Sequence, residues 1–153
     1  ITLNVCGLRD VNKRLSLMQW LSHLCLDIVC LQETHVTSRT EADSWFSPFG
    51  FLTIVAPGSS HSCGSVILYR PRLIFYRSWT EQNGRFLMAE FSDRGLIYRI
   101  ACIYAPNRNP ERDSFLASIV NHVDLTVPPI LCGDFNAVFD RTLDHRGTGA
   151  GSP

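Results

Sequence analysis

Asp134 and Asn136 stand two residues apart at the end of an apolar run, in the stretch Pro129-Ile130-Leu131-Cys132-Gly133-Asp134-Phe135-Asn136. On an extended backbone, side chains two apart share a face. A carboxylate and a carboxamide placed that way can orient a water and hold a phosphate oxygen. Ile130 to Cys132 reads as a buried strand. Gly, Asp and Asn are also turn formers, so the segment taken alone fits a plain strand-to-turn exit better. Glu33 sits in a matching place. The run Ile28-Val29-Cys30-Leu31 reads as a strand covered on both faces, and it ends in Gln32-Glu33-Thr34-His35. A carboxylate at such an end must meet water, a cation or a donor, because an unpaired buried charge is expensive. Taken alone, it too reads more simply as a solvated strand end.

Two more polar residues close strands. Asn4 lies on the polar side of the alternating segment Ile1 to Val5, which Gly7 terminates. Tyr104 lies near the end of the strand Leu96 to Ala105, which Pro106 breaks. Its phenol is either a core residue with a wet tip or a donor to a ligand. His35 and His61 read as loop residues facing solvent.

The elements that position these residues follow from periodicity. Arg9 to Cys25 has helical spacing, with Val11, Leu15, Met18 and Cys25 on one stripe widened by Leu17, Leu21 and Leu24. Met18 and Trp20 read as core. Thr40-Glu41-Ala42-Asp43 has the form of a capping box and predicts a short helix through Trp45 and Phe46. Phe51 to Val55 and Gly64 to Tyr69 read as strands around a Gly/Ser/His loop. Leu73 to Thr80, Arg85 to Phe91 and Leu96 to Ala105 form a meander, turned at Asn83-Gly84 and at Ser92-Asp93-Arg94-Gly95. Asn109-Pro110-Glu111 starts a helix, with Asn as N-cap, Pro at the first helical position and an acid in the first turn. Strands interleaved with helices predict an α/β fold, one sheet packed on another with helices outside.

With 153 residues, 45% of them hydrophobic and 18% charged, the chain has enough apolar material for one domain. No apolar run reaches the length of a membrane span. The formal net charge is zero, so long-range steering toward nucleic acid is not evident. The only lysine is Lys13 and the other basic residues are arginines, which suit bidentate phosphate contacts. The six cysteines form no C-x-x-C, which argues against a zinc site, and most read as buried free thiols of a reducing compartment. The chain opens at Ile1 inside a strand pattern and closes on a loop-like stretch to Pro153, which reads as a piece of a longer reading frame.

Together these segments resemble the endonuclease/exonuclease/phosphatase superfamily, the DNase I-like fold. The resemblance is carried by Leu3-Asn4-Val5-Cys6-Gly7-Leu8, Leu31-Gln32-Glu33-Thr34, Cys63-Gly64-Ser65-Val66-Ile67-Leu68, Ile103-Tyr104-Ala105-Pro106-Asn107 and Gly133-Asp134-Phe135-Asn136. Gln32-Glu33-Thr34-His35, Tyr104 to Asn107 and Leu143-Asp144 resemble the apurinic-like endonucleases of LINE-type retrotransposons. The resemblance implies a four-layer sandwich, two mixed sheets flanked by helices, here truncated on its C-terminal side. It implies a metal-dependent endonuclease that hydrolyses DNA phosphodiester bonds. Glu33 would hold Mg²⁺ or Mn²⁺, Asp134 activate the attacking water, Asn136 position the scissile phosphate and Tyr104 donate to that phosphate. Asn4, Asn107 and His145 would contact substrate. DNA is the implied partner, with a fused reverse transcriptase downstream, no membrane, and an intracellular site of action that is nuclear when DNA is cut.

Three departures qualify the match. Cys6 stands where the family has Asn or Asp. His145 follows Leu143-Asp144 where the retrotransposon branch has Arg, which exposes a phosphate contact to pH. The family's later Asp and its Ser-Asp-His motif are absent, because the chain ends before them. Losing members of a catalytic unit removes most of its rate, so residues 1–153 alone are expected to be nearly inactive and poorly stable. Two alternatives share the residues: a phosphatase or phosphodiesterase of the same fold acting on inositol phosphates or sphingolipid, and a degenerate, non-catalytic copy.

Overall fold

The computed structural model describes residues 1–120 and 126–137. Two four-stranded sheets face one another. The first takes β1 (Thr2–Asn4), β2 (Ile28–Gln32), β3 (Leu52–Ala56) and β4 (Ser65–Tyr69), in the order β1-β2-β4-β3. The second takes β5 (Ile74–Thr80), β6 (Phe86–Asp93), β7 (Leu96–Tyr104) and β8 (Pro129–Asp134), in sequence order. Helices α1 (Val11–Ser22) and α2 (Arg39–Phe46) cover the first sheet, and α3 (Asn109–Val120) covers the second. This is the expected sandwich of two mixed sheets between helices.

Each sheet contains one parallel pair, β1 with β2 and β7 with β8, and the other pairings are antiparallel. Parallel neighbours need a crossover rather than a hairpin. Here α1 lies between β1 and β2 in the chain, and α3 between β7 and β8. The two parallel pairs end at Asn4 beside Gln32 and at Tyr104 beside Asp134.

Alternation along the strands sorts the core into three layers. Between the sheets, Cys30, Ile54, Ile67 and Tyr69 meet Leu87, Ala89, Phe91 and Cys102. On the outer face of the first sheet, Val29, Leu31, Val66 and Leu68 pack under Met18, Leu21, Ala42 and Phe46. On the outer face of the second, Phe86, Met88, Ala101 and Ile103 pack under Ile119, with Phe115 and Leu116.

Several expectations change at this level. Helix α1 ends at Ser22, so Leu24 and Cys25 fall outside it. Only Met18 and Leu21 are buried on the helix itself, and Trp20 is 46% exposed. Trp20 lies two residues past Met18, a step of about 200° around the axis, on the far side from the sheet. The cap of α2 is Ser38 rather than Thr40: Ser38 Oγ accepts from Glu41 N–H at 3.1 Å, and the Glu41 carboxylate accepts from Thr37 N–H at 2.8 Å. Helix α3 includes Asn109 as its first residue. At Asn83-Gly84 both residues are left-handed, but five residues, 81–85, join β5 to β6. The Arg94-Gly95 turn is the tight two-residue form, with both residues at positive φ.

The largest correction concerns β8. Ile130 and Leu131 are 60% and 48% exposed, and among the described residues β8 pairs with β7 alone. Among the described residues it is an edge strand, and its apolar run is open to solvent rather than enclosed. The cysteines divide as well: Cys30, Cys63 and Cys102 are buried, Cys132 half-buried, and Cys6 and Cys25 exposed; all six are free thiols.

One charged network lies on the outer face of the second sheet, with Glu90 and Arg99 buried and Arg77 exposed. Glu90 accepts from Arg99 Nε at 2.7 Å and from Arg77 Nε at 3.2 Å, and both guanidiniums lie over the Trp79 ring. The Arg99 and Arg77 hydrogen bonds hold the Glu90 carboxyl below the usual carboxylate range. A depressed folded-state pKa contributes stability above the unfolded value, near pH 4.3, which is lost as pH falls through the folded value. Glu90→Gln removes the carboxylate that Arg99 and Arg77 share. Urea unfolding at pH 7 is expected to show a loss of about 3 kcal/mol, shrinking as the pH is taken below 4.

Candidate active site

The C-terminal ends of both parallel pairs reach the same rim. Asn4 ends β1, Glu33 follows β2, Tyr104 ends β7 and Asp134 ends β8. Asn4 is the register partner of Gln32, and Tyr104 of Asp134. The two pairs are joined directly: Asn4 Nδ2 donates to Asp134 Oδ2 at 2.9 Å.

Both side chains are aimed by the same local device. Asn4 Oδ1 accepts from Cys6 N–H at 3.0 Å, and Asp134 Oδ1 accepts from Asn136 N–H at 3.0 Å. Each is an Asx turn, in which a short polar side chain bonds the backbone two residues on. The residue whose N–H donates is left-handed in both cases, Cys6 at φ 44° and Asn136 at φ 47°. The first turn also fixes the Asn4 amide: its oxygen faces Cys6, so its nitrogen faces Asp134. Asp134 and Asn136 therefore sit on one side because the chain turns, not because the strand continues.

Asn136 is held at three points. Its Nδ2 donates to the Ala105 carbonyl at 2.7 Å, and its own carbonyl accepts from Arg112 on α3, besides the bond from its N–H. Gly133, at φ 140°, lets β8 pass close to Ile103; a Cβ there would collide with the Ile103 carbonyl. An open cleft of about 640 Å³ lies beside these residues, lined by Thr2, Asn4, Gln32 and residues 133–137. Gln32 is buried in its floor, donating from Nε2 to Thr2 Oγ1 at 3.0 Å and to Cys102 Sγ at 2.9 Å.

Glu33 is left-handed at φ 54° and half-buried. The turn it makes is clasped by the loop before β4. Thr34 N–H donates to Gly64 C=O and His35 N–H to Cys63 C=O, both at 2.9 Å. Tyr104 is buried near the Glu33 carboxylate. Burial, and then this carboxylate, push the phenol up to about 12, so it remains a protonated donor at neutral pH. Arg85 lies over the Tyr104 ring, its guanidinium carbon 4.7 Å from the centroid.

The structure thus brings together Asn4, Glu33, Tyr104, Asp134 and Asn136. Asn107 is exposed on the loop after Pro106, with no hydrogen bond to any of the five. His145, like Leu143-Asp144, lies outside the described residues. His35 is half-buried rather than a free loop residue: it packs on Gly7, where a Cβ would stand 2.8 Å from its Nδ1. Sequence reasoning missed Arg85, Arg112 and Gln32 as supports of the site. Gln32 and Arg85 flank residues already singled out, Glu33 and Gly84. Nothing local marks Arg112.

The Endonuclease/Exonuclease/phosphatase family model matches residues 1–152. This chain belongs to that family. The family name joins nucleases to phosphatases, hydrolases of phosphate esters. Among curated relatives, this family member is 30% identical over 146 residues to the transposon TX1 uncharacterized 149 kDa protein of Xenopus laevis, covering 91% of this chain and 11% of that protein. It is 29% identical over 149 residues to the exodeoxyribonuclease of Bacillus subtilis, covering 89% of this chain and 57% of that enzyme. Among solved structures, the AP endonuclease from Archaeoglobus fulgidus superposes with a TM-score of 0.66 at 21% identity, over 88% of this chain and 56% of that one. The chain therefore spans little more than half of these two enzymes and a small part of the transposon protein. Among the described residues, no helix is long and apolar enough to cross a membrane.

The close approach of β8 to Ile103 makes a simple test of the site's frame. Gly133→Ala requires β8 to move off β7 and takes Asp134 with it. Denaturant unfolding is expected to show a loss of at least about 3 kcal/mol, the scale of a severe backbone clash.

Proposed function

We propose that this chain carries the reaction centre of a divalent-metal-dependent endonuclease that hydrolyses DNA phosphodiester bonds. The observation that carries the reading is the junction of Asn4, Glu33, Tyr104, Asp134 and Asn136 at one rim, tied by the Asn4–Asp134 hydrogen bond. The donors present suit a hard cation. Glu33 supplies an oxygen, and among the described residues no three carboxylate, thiol or imidazole groups converge. A site with one carboxylate leaves room for water and phosphate oxygens, as Mg²⁺ and Mn²⁺ prefer. A bound ion there supplies charge stabilisation for the phosphate and the leaving oxygen.

The chain's own residues divide the remaining work. Asp134 orients a water in line with phosphorus and takes its proton as the new P–O bond forms and the bond to the leaving sugar oxygen breaks. Asn4 holds one Asp134 oxygen, which leaves the carboxylate one orientation. Asn136 and Tyr104 offer an amide and a phenol to the non-bridging phosphate oxygens, fixed donors of the kind that stabilise developing charge. Asn107 and His145 are proposed as DNA contacts further out.

The transposon relative supports a role in nicking target DNA for a retrotransposon, with a reverse transcriptase in the same polypeptide and action in the nucleus. The AP endonuclease fold and the exodeoxyribonuclease relative support DNA over a small phosphate ester. The domain is proposed to extend beyond Pro153, where further catalytic residues complete it.

Supercoiled-plasmid nicking by the full-length protein tests the reading. Nicking is expected with Mg²⁺ or Mn²⁺, to vanish with EDTA, and to fall at least about a hundredfold in Glu33→Gln and in Asp134→Asn. Residues 1–153 alone are expected to be slower by a similar factor. Unchanged nicking in either variant overturns the assignment.

A further inference from the structure

A second polar pocket, of about 440 Å³, opens between the loop joining β3 to β4 and the turn joining β5 to β6. Ser59, Ser62, Cys63, Asn83 and Arg85 supply its polar lining. No Asp or Glu lines it, and Arg85 is its one charged residue. It shares no residue with the cleft beside Asp134, yet it borders the same site. The Arg85 guanidinium lies over the Tyr104 ring, 4.7 Å from its centroid. On the other side of the pocket, the Cys63 and Gly64 carbonyls accept from the turn that follows Glu33.

Arg85 is half-buried and under-used. Its side chain makes one hydrogen bond, from Nη1 to Tyr104 C=O at 3.3 Å, and no ion pair among the described residues. The other half-buried arginines among them, Arg14, Arg70 and Arg112, each make two or three bonds to protein oxygens. A guanidinium carries five N–H donors, so most of the Arg85 fork is left for a ligand.

Both walls are held in place without one. Ser59 N–H donates to Ser62 C=O at 2.9 Å, and Ser62 N–H donates to Ser59 Oγ at 3.0 Å. Gly58 N–H donates to Val36 C=O at 2.9 Å. Across the pocket, Ser65 Oγ donates to Gly84 C=O at 2.8 Å. A Cβ on Gly84 would stand 2.7 Å from Gly64 N and 2.8 Å from Pro57 O, so the two segments interlock with no side chain between them.

We propose that this pocket holds a backbone phosphate of the bound DNA, adjacent to the phosphate at the reaction centre, with the Arg85 guanidinium as its anchor and Ser59, Ser62 and Asn83 as neutral donors. The inference rests on the reading of this chain as a DNA nuclease and names a contact for that substrate. A partly desolvated cation in a pocket without acids calls for an anion, and the planar fork of arginine matches two phosphate oxygens. The stack on Tyr104 fixes the plane of that fork. Contacts to phosphate carry no sequence information but set the register of a protein on its duplex. Here the register is that of the scissile bond against Asp134.

Binding of a fluorescently labelled DNA duplex to the full-length protein in EDTA, followed by anisotropy across a NaCl titration, tests it without turnover. Arg85→Gln is expected to weaken binding about threefold to tenfold near 0.1 M salt. It is also expected to flatten the plot of log K against log [NaCl] by about 0.9, the share of one phosphate. Arg85→Lys keeps the charge and is expected to keep the wild-type slope. A wild-type slope in Arg85→Gln overturns the proposal, and so does a slope lost equally in Arg85→Lys, the mark of a purely structural role. Asn83→Asp keeps the test open if Arg85→Gln does not fold. Asn83 is exposed and left-handed at φ 74°, a conformation Asp tolerates, and the change puts a carboxylate in the pocket lining. Binding is expected to weaken and the slope to flatten, and wild-type binding in that variant overturns the proposal. Wild-type protein that shows no salt-dependent DNA binding overturns the nuclease reading itself, and this contact with it.

Discussion

The hydrogen bond from Asn4 Nδ2 to Asp134 Oδ2 joins residues 130 positions apart and connects the two sheets at the rim where their parallel pairs end. A hydrogen bond to a charged group contributes about 1.5–3 kcal/mol at best, and Asn4 is exposed, so this bond adds little to the stability of the sandwich. The apolar layer between the sheets, centred on Ile67, Leu87, Phe91 and Cys102, does that. What the bond sets is direction. Two Asx turns leave one donor on Asn4 and one acceptor oxygen on Asp134 facing each other, and Asp134 then has a single orientation toward the cleft.

The same economy runs through the rest of the site. Cys6, Glu33, His35, Cys63 and Asn136 are all left-handed without being glycine. Such residues persist where the surroundings over-determine them, and they gather at functional positions. Here the surroundings are backbone bonds between neighbouring loops: Gly7 N–H to Glu33 C=O, His35 N–H to Cys63 C=O, and Ala105 N–H to Asp134 C=O. Gly64, Gly84 and Gly133 permit that closeness, since a Cβ at each would press on a neighbouring strand or loop. The site side chains are therefore carried on strand ends and the turns that follow them, whose backbone geometry is set from several directions.

Much of this was legible from the residues. Strand periodicity located all the sheet segments, and four strand ends each closed on a polar residue, which is what made Asn4, Glu33, Tyr104 and Asp134 stand out. The limits were tertiary. Ile130-Leu131-Cys132 has the composition of a buried strand, but burial depends on neighbours, and among the described residues β8 has one. Trp20 has the composition of a core residue, yet its angle around α1 turns it to solvent. Arg85 and Arg112 act through carbonyls and a ring far away in sequence, and no local pattern encodes such partners. The Asx turns were hidden for a different reason: an Asn or Asp at a strand end fits an extended exit and a turned one equally well.

The central claim is that a divalent ion sits on Glu33 at the rim shared by Asn4 and Asp134. Anomalous diffraction from crystals of this chain soaked in Mn²⁺ tests it most directly. The account predicts a peak at bonding distance from a Glu33 carboxylate oxygen, about 2.1–2.3 Å away, on the side facing the Asn4–Asp134 pair. A strong peak elsewhere, with Glu33 bare, contradicts it.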